Sequence, residues 1–172
     1  MYIKPLFIVV SIVVAIVGCR KQTDIPDSSS DSQNYQFTIM DTVKGEQLLN
    51  QCSRSTPENI NSIWELDKVH VEILDKNFDK VKEVTSSGCC DSGERITNLD
   101  EYVYQLVGVK IGNKSYIYIN SFRREYAESL RRDQAKSKDS PVIVCDGGKS
   151  FWGILFDIEE LKFSMLSING SA

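Results

Sequence analysis

Residues 102–122 read YVYQLVGVKIGNKSYIYINSF, and this stretch decides the fold. Two apolar runs stand on either side of Gly112-Asn113, and a two-residue loop of Gly and Asn is a typical connection in a β-hairpin. The stretch therefore predicts two antiparallel strands, Tyr102 to Ile111 and Lys114 to Phe122, in which Ile111 lies opposite Lys114.

This register assigns each hairpin side chain to one of two faces, because side chains alternate along a strand. One face carries Val103, Gln105, Val107, Val109, Tyr116, Tyr118, Asn120 and Phe122, and the other carries Tyr104, Leu106, Gly108, Ile117 and Ile119. Both faces are apolar, and one amphipathic helix covers about one face. We expect the second face to meet shorter helices, another protomer or a ligand. We favour the view that an N-terminal helix and residues 123–138, which form a helix or loop, cover this second face.

Further strands are expected near the C-terminus. Pro141 to Asp146 and Ser150 to Asp157 flank Gly147-Gly148 and predict a second hairpin, and Leu161 to Ile168 predicts a last strand. In this part of the chain Trp152, Ile154 and Phe156 share one side, and Phe151, Gly153 and Leu155 share the other.

Helices are expected upstream of the hairpin. Apolar residues at helical spacing predict a helix from about Ile63 to Val84, and a shorter one is expected near Val43 to Cys52. Two Ser-x-x-Glu pairs, beginning at Ser55 and Ser62, fit capping boxes at helix starts. The fold class is therefore α+β, with N-terminal helices packed on an antiparallel sheet of about five strands.

The N-terminus carries a targeting signal. Lys4 precedes an apolar run from Leu6 to Val17, which is short for a membrane span. The run ends in Ile16-Val17-Gly18-Cys19, which resembles the lipobox of bacterial lipoproteins. The resemblance covers the first nineteen residues and implies cleavage after Gly18, a diacylglyceryl thioether on Cys19 and an acyl chain such as palmitate on the new amino terminus.

The chain then divides into three parts: a lipoprotein signal peptide (1–18), the lipidated cysteine with a polar, flexible tether (19–36) and one globular domain (37–172). Arg20 and Lys21 follow the cysteine where an aspartate would favour retention at the inner membrane. The expected location is therefore the cell envelope, with the anchor in the outer membrane and the domain facing the periplasm.

The charge balance bears on partners. Twenty Lys and Arg stand against 24 Asp and Glu, for a net charge of −4. The basic cluster of Arg123, Arg124, Arg131 and Arg132 is interrupted by acidic residues and indicates a solvated helix face. We therefore expect no nucleic-acid partner.

Four cysteines remain besides Cys19: Cys52, Cys89, Cys90 and Cys145. An even number in an oxidising compartment favours disulfides, and a bridge from Cys89 or Cys90 to Cys52 or Cys145 is preferred over a strained bridge between neighbours. Free buried thiols are the alternative. No Cys-x-x-Cys or His-x-x-x-His spacing indicates a metal site, and no motif indicates a cofactor.

Residues that could carry catalysis lack the motifs that would support them. His70, the single histidine, is interpreted as a core-edge residue with a hydrogen-bonded ring. The cluster of Asp157, Glu159 and Glu160 indicates an acidic turn. Asp146-Gly147-Gly148-Lys149 lacks the Gly-Lys-Ser/Thr ending of a phosphate-binding loop. Residues 141–170 resemble the closing segment of small uncharacterised exported bacterial proteins, which implies no activity.

The first hypothesis is therefore a membrane-anchored, non-enzymatic domain that binds or inhibits a protein, as an immunity protein does. Its candidate binding face carries Gln105, Tyr116, Tyr118 and Asn120. The alternative is a small-ligand carrier or envelope hydrolase with a cavity between helix and sheet.

Overall fold

The computed structural model describes residues 35–132 and 140–171. The helices and strands in those ranges are β1 (Gln36–Ile39), α1 (Thr42–Leu48), β2 (Ile60–Trp64), α2 (Lys68–Asn77), β3 (Tyr102–Ile111), β4 (Lys114–Arg123), α3 (Arg124–Arg132), β5 (Phe151–Asp157) and β6 (Lys162–Ile168). The predicted signal peptide, Cys19, most of the predicted tether and residues 133–139 lie outside the described residues. No helix in the described ranges is long and apolar enough to cross a membrane.

The predicted hairpin forms the centre of a six-stranded sheet. Ile111 lies opposite Lys114 and Val103 opposite Phe122, which confirms the predicted register. The turn keeps Gly112 at a φ of 59°, a conformation that glycine adopts at little cost. β5 pairs antiparallel with β4, and β6 pairs antiparallel with β5.

The other edge of β3 is shared by two short strands. β1 runs parallel to residues 103–106, and β2 runs antiparallel to residues 108–111. The sheet is therefore mixed and has six strands, whereas about five antiparallel strands were expected. The fold is a mixed α and β structure. Its helices do not all precede the sheet, because β1 and β2 lie among the N-terminal helices and α3 follows β4.

The long predicted helix is split into a strand and a helix. Residues 60–64 form β2, and α2 begins only after Asp67, whose side chain accepts a hydrogen bond from the amide of His70 at 3.0 Å. The capping box thus lies at Asp67 and His70, and the expected one at Ser62 is wrong because Ser62 lies within β2. A 3-10 segment, Phe78–Glu83, continues α2.

One face of the sheet, here called the aromatic face, carries Tyr104, Leu106, Ile117, Ile119, Trp152, Ile154 and Phe156. The α2 helix and the 3-10 segment cover it with Leu74, Phe78 and Val81, all fully buried. Phe78 lies edge-on to Tyr104 with ring centroids 4.7 Å apart. This face is held by close-packed aromatic and aliphatic side chains.

The opposite face carries Val103, Gln105, Val107, Val109, Tyr118, Asn120, Phe122, Phe151 and Leu155, and all of them are buried. At one end α1 covers it through Leu48, and at the other end Tyr126 and Leu130 of α3 pack beside Val142. The chain therefore covers its own second face with two short helices and with loops.

Residues 141–146 do not form the predicted strand. Side chains from other parts of the chain bind the backbone of this segment. The amide of Val142 donates to Gln105 Oε1 at 3.0 Å, and Asn169 Nδ2 donates to the carbonyl of Val144 at 2.6 Å. Because side-chain amides supply these bonds, the segment lies over the sheet as a loop and pairs with no strand.

Candidate functional site

A disulfide joins two loops that lie over the centre of the second face. It links Cys52 to Cys145, which are 93 positions apart in the chain, with their Cα atoms 4.9 Å apart. The expected bridge from Cys89 or Cys90 is therefore wrong, and those two thiols are free and exposed. We call residues 50–58 and 140–147 the stapled loops.

Arg54 extends from the first stapled loop into the space between loop and sheet. Its side chain is buried, with 5% of its surface exposed. The guanidinium donates to Asn169 Oδ1 at 2.7 Å, to the hydroxyl of Tyr118 at 3.3 Å and to Asn120 Oδ1. One side chain of the loop is thus bound to β4 and to the residue that follows β6.

The oxygens around Arg54 are all neutral. In the part of the chain that the structure describes, the ion pairs formed by carboxylates involve other cations, and none includes Arg54. Taking a guanidinium out of water costs several kcal/mol, which hydrogen bonds to neutral oxygens offset only in part. The arginine therefore contributes geometry to the loop more than net stability.

Gln105 and Asn120 continue the network beneath the second stapled loop. Asn120 Nδ2 donates to Gln105 Oε1 and to the carbonyl of Val142, both at 3.0 Å. Gln105 Nε2 donates to the carbonyl of Ser140 at 2.7 Å. Arg54, Gln105, Tyr118, Asn120 and Asn169 form one connected set, here called the polar cluster.

Gly153 leaves the room that the polar cluster needs. A Cβ atom at this position would lie 2.5 Å from the hydroxyl of Tyr118 and 3.0 Å from Arg54 Nε. A side chain there would push the arginine off the sheet. This explains why glycine occupies the middle of an otherwise bulky strand.

The predicted binding residues lie on one face, as their register requires. Gln105, Tyr118 and Asn120 are each 1% exposed and contact the stapled loops, and Tyr116 is half-buried beside α1 and β2. These side chains lie beneath the stapled loops, and residues of the loops form the exposed surface above them.

Arg54 and Asn169 were not identified from the sequence as residues of this site. Neither follows a periodic pattern, because each lies in a loop beyond the end of a helix or strand. Gly153 was an available signal, since a glycine within a buried strand often marks the close approach of another group.

The acidic turn after β5 is a structural cap. Asp157 Oδ1 accepts the amides of Glu159 and Glu160 at 3.0 and 2.9 Å, and Lys114 Nζ lies 3.3 Å from Oδ2. Burial acts to raise the pKa of Asp157, but the Glu160 amide, Lys114 and the Glu159 amide outweigh it and hold the pKa below its usual range.

The remaining motif residues have structural partners. Gly147 and Gly148 have φ angles of 99° and 52° and lead into the short 3-10 turn Gly148–Ser150, while Lys149 pairs with Glu94 at 2.5 Å. His70 Nδ1 accepts the amide of Asp67 at 3.2 Å, and its ring lies edge-on to Trp64. Across residues 35–132 and 140–171, no group of three or more His, Cys, Asp or Glu side chains could hold a metal ion.

A shallow cleft of about 320 Å³ lies where β1 ends and β2 ends. It is lined by Ile39, Met40, Asp41, Thr42, Trp64, Glu65 and Leu66. Asp41 caps α1, because its carboxylate accepts the amide of Lys44 at 2.9 Å, and this bond lowers its pKa. The cleft therefore offers a mixed apolar and polar surface beside a carboxylate whose pKa is lowered.

In comparisons with known proteins, no family model, no curated protein and no solved structure matches the chain.

Proposed function

We propose that the chain is a lipid-anchored envelope protein whose domain binds a partner protein through the stapled loops and performs no catalysis. An inhibitor or immunity-type role is the concrete form of this proposal. The single observation that supports it is the polar cluster, where a buried guanidinium and a disulfide both hold two surface loops in place.

Fixing a loop before binding lowers the entropy cost of association. Pro57 and Val142 are the buried apolar residues of the stapled loops, so the ordering of the loops rests largely on the disulfide and on hydrogen bonds from the sheet. Costly interior polar groups in a small domain are expected where loop geometry has to be specific. A preformed recognition surface has this requirement.

The outer surface of the stapled loops contains one large apolar side chain. Ile143 is 42% exposed and is flanked in the chain by Val142, which is buried, and Val144, which is half-buried. An exposed apolar residue on a backbone that hydrogen bonds hold in place fits the centre of a protein interface. We assign Ile143 as the anchor of the proposed contact.

The anchor limits where the partner can be. If Cys19 carries lipid, about fifteen residues separate it from the described domain and span at most about 50 Å. The partner would therefore lie in, or close to, the same membrane. Two or three acyl chains on Cys19 would hold the protein there stably.

Site-specific photo-crosslinking tests the contact. A photoreactive residue is placed at position 143 or at position 165, where Met165 is 44% exposed and serves as the matched control. We expect one discrete adduct from position 143 in intact envelopes, its loss in the Cys52→Ser/Cys145→Ser variant, and no such adduct from position 165. No adduct at 143, or equal adducts at both positions, would contradict the proposal.

The cleft beside Trp64 supports a second candidate, a small-ligand carrier. Its volume of about 320 Å³ reaches the lower end of the range for ligand sites. The test titrates an amphiphilic fluorescent probe into the protein and compares Ile39→Asp with Leu161→Asp, both exposed apolar positions. Saturable binding that only Ile39→Asp abolishes would favour the carrier, and non-saturating binding would eliminate it.

A further inference from the structure

Cys89 and Cys90 lie side by side on the surface with their sulfur atoms in contact. Both residues are exposed, and Cys90 Sγ donates to Cys89 Sγ at a distance of 2.9 Å. A disulfide bond is about 2.05 Å long, so an approach of about 0.9 Å separates the two thiols from a covalent bond. The two sulfur atoms are therefore close to bonding distance.

The loop that carries the two thiols is well fixed at its base. The amide of Ser86 donates to the carbonyl of Glu94 at 2.8 Å, and the amide of Gly93 donates to the carbonyl of Ser86 at 3.0 Å. The hydroxyl of Ser86, a buried residue, donates to the carbonyl of Asp91 at 2.5 Å. These bonds close residues 86–94 into a compact loop.

Two further bonds attach this loop to the rest of the domain. The amide of Ser87 donates to the carbonyl of Leu166 in β6 at 3.0 Å, and the amide of Cys89 donates to the hydroxyl of Ser55 at 3.3 Å. The sulfur pair is therefore presented at a fixed position on the surface.

The backbone at the pair is strained. Cys90 has a φ of 88°, in the left-handed region that residues other than glycine rarely adopt. Such outliers are retained where the surrounding structure holds them, and they cluster at functional sites. Two adjacent exposed thiols on a strained and anchored loop form a site, which a single cysteine would not.

We propose that Cys89 and Cys90 form a redox-active dithiol that closes to a disulfide by exchange with the disulfide of a small thiol compound or of a partner oxidoreductase. This function is separate from the proposed protein binding and uses neither Ile143 nor the cleft.

The exchange proceeds in two steps that balance. The Cys89 thiolate attacks one sulfur of the disulfide R–S–S–R, a mixed disulfide forms on Cys89, and one thiolate leaves. The Cys90 thiolate then attacks Cys89 Sγ, the intramolecular bond forms, and the second thiolate leaves. The pair loses two electrons and two protons, and R–S–S–R is reduced to two thiols.

The order of attack follows from the hydrogen bond. Cys90 Sγ donates its hydrogen to Cys89 Sγ, and this bond raises the pKa of the Cys90 thiol, which suits the group that reacts second. Cys89 is therefore the attacking thiol and Cys90 the resolving one.

The product is expected to be easily reduced again. Adjacent Cα atoms are about 3.8 Å apart, whereas disulfide-bonded residues usually have Cα atoms 4.4–6.8 Å apart. Strained disulfides have more oxidising potentials than unstrained ones. The pair would therefore be reduced more easily than Cys52–Cys145, which has an ordinary Cα separation of 4.9 Å.

The test follows both cysteine pairs by mass spectrometry. The full-length chain in detergent is equilibrated in mixtures of reduced and oxidised glutathione, and free thiols are then trapped with N-ethylmaleimide. Trypsin releases the peptide from Glu83 to Arg95, which contains Cys89 and Cys90 and no other cysteine. We expect this peptide to change from two maleimide groups to a form that lacks two hydrogens and carries none.

The single variants test the order of attack. Cys90→Ser should accumulate the mixed disulfide on Cys89 at least about tenfold faster than Cys89→Ser accumulates it on Cys90, because thiolate character sets the rate. A peptide with two maleimide groups in every mixture, two stable glutathione adducts, or a link to another chain would overturn the proposal. Failure of excess reduced glutathione to reopen the ring would overturn the redox cycling.

Discussion

The two faces of the central sheet are covered in different ways. On the aromatic face, Trp152 and Phe156 of the sheet are fully buried beneath α2 and its 3-10 extension, which contributes the buried ring of Phe78. On the opposite face, the two apolar ends lie on either side of the polar cluster, which binds the stapled loops through directed hydrogen bonds. Both coverings exclude water, but only one of them uses a buried charge.

The difference separates stability from positioning. Apolar burial contributes free energy in proportion to area and tolerates small shifts, because it has no preferred direction. Hydrogen bonds from a guanidinium and side-chain amides have narrow geometry and a small net contribution. The aromatic face should therefore account for most of the stability of the domain, and the polar cluster for the conformation of the stapled loops.

The largest effect is expected on the aromatic face. Phe78→Ala should lower the free energy of unfolding by about 3–5 kcal/mol, because a fully buried ring leaves a cavity among its four aromatic neighbours. Phe78→Leu is the matched control, with a loss below about 1.5 kcal/mol. Urea denaturation followed by circular dichroism measures both, and a loss in Phe78→Ala no larger than in Phe78→Leu would contradict this view of the face.

The next effect is expected at the centre of the polar cluster. Arg54→Met should lower the free energy of unfolding by about 2–3 kcal/mol, because Asn120 and Asn169 are left with buried oxygens that have no donor. This loss is the cost of the unpaired acceptors and not a net stabilising contribution of the arginine. The control is Arg95→Met, an exposed arginine whose loss should change stability by less than about 0.5 kcal/mol. Equal losses in the two variants, measured in the same urea titration, would show that Arg54 is dispensable.

A smaller effect is expected where the cluster meets the sheet. Gly153→Ala should destabilise the protein by about 1–3 kcal/mol, since the added methyl group collides with Tyr118 and Arg54. Gly170→Ala is the control, because its Cβ would have its nearest contact at an ordinary 3.6 Å. Thermal unfolding compares the two, and a Gly153→Ala protein as stable as wild type would mean that the arginine has room to move.

The smallest effect concerns a charged contact at the margin of the second face. The pKa of Asp157 is held below its usual range. The contribution of Asp157 to the free energy of unfolding is therefore present above about pH 4, the pKa of an unfolded aspartate, and is lost as pH falls through the pKa in the folded protein. Asp157→Asn should remove this loss, which we expect to be below about 1 kcal/mol because Lys114 is 46% exposed.

Stability curves from pH 2 to 7 measure that loss, and Glu159→Gln, at an exposed position, is the control. A steeper acid dependence in Asp157→Asn than in wild type would reverse the sign of the argument.

The central hairpin could be predicted because its signals are local. Gly112-Asn113 defines the turn, and the alternation on either side defines the register that the structure has. The apolar run at residues 142–144 was misleading: Val142 is buried and Ile143 is exposed, as in a strand, but the backbone is bound by the side chains of Gln105 in β3 and of Asn169 after β6. A sequence pattern reports which side chains are buried and does not report what pairs with the backbone.

The polar cluster could be predicted only in part. Gln105 and Asn120 are opposed in the predicted register, and this placed them together on one face. Arg54 and the Cys52–Cys145 pairing depend on contacts between positions about a hundred residues apart, and nothing local in the chain encodes these contacts. The short strands β1 and β2 were missed for the same reason, since their pairing with β3 defines them.

Hydrogen exchange of the stapled loops in wild type and in Arg54→Met tests the central claim most directly. In wild type, the amides of Val142 and Ser55, which donate to Gln105 Oε1 and Ser167 Oγ, should exchange slowly. In Arg54→Met these amides should exchange nearly as fast as those of an unfolded chain, while those of β3 and β4 stay protected to the extent that the lower global stability allows. If the loop amides are as unprotected in wild type as in the variant, or if they stay protected in the variant, the polar cluster does not position the loops.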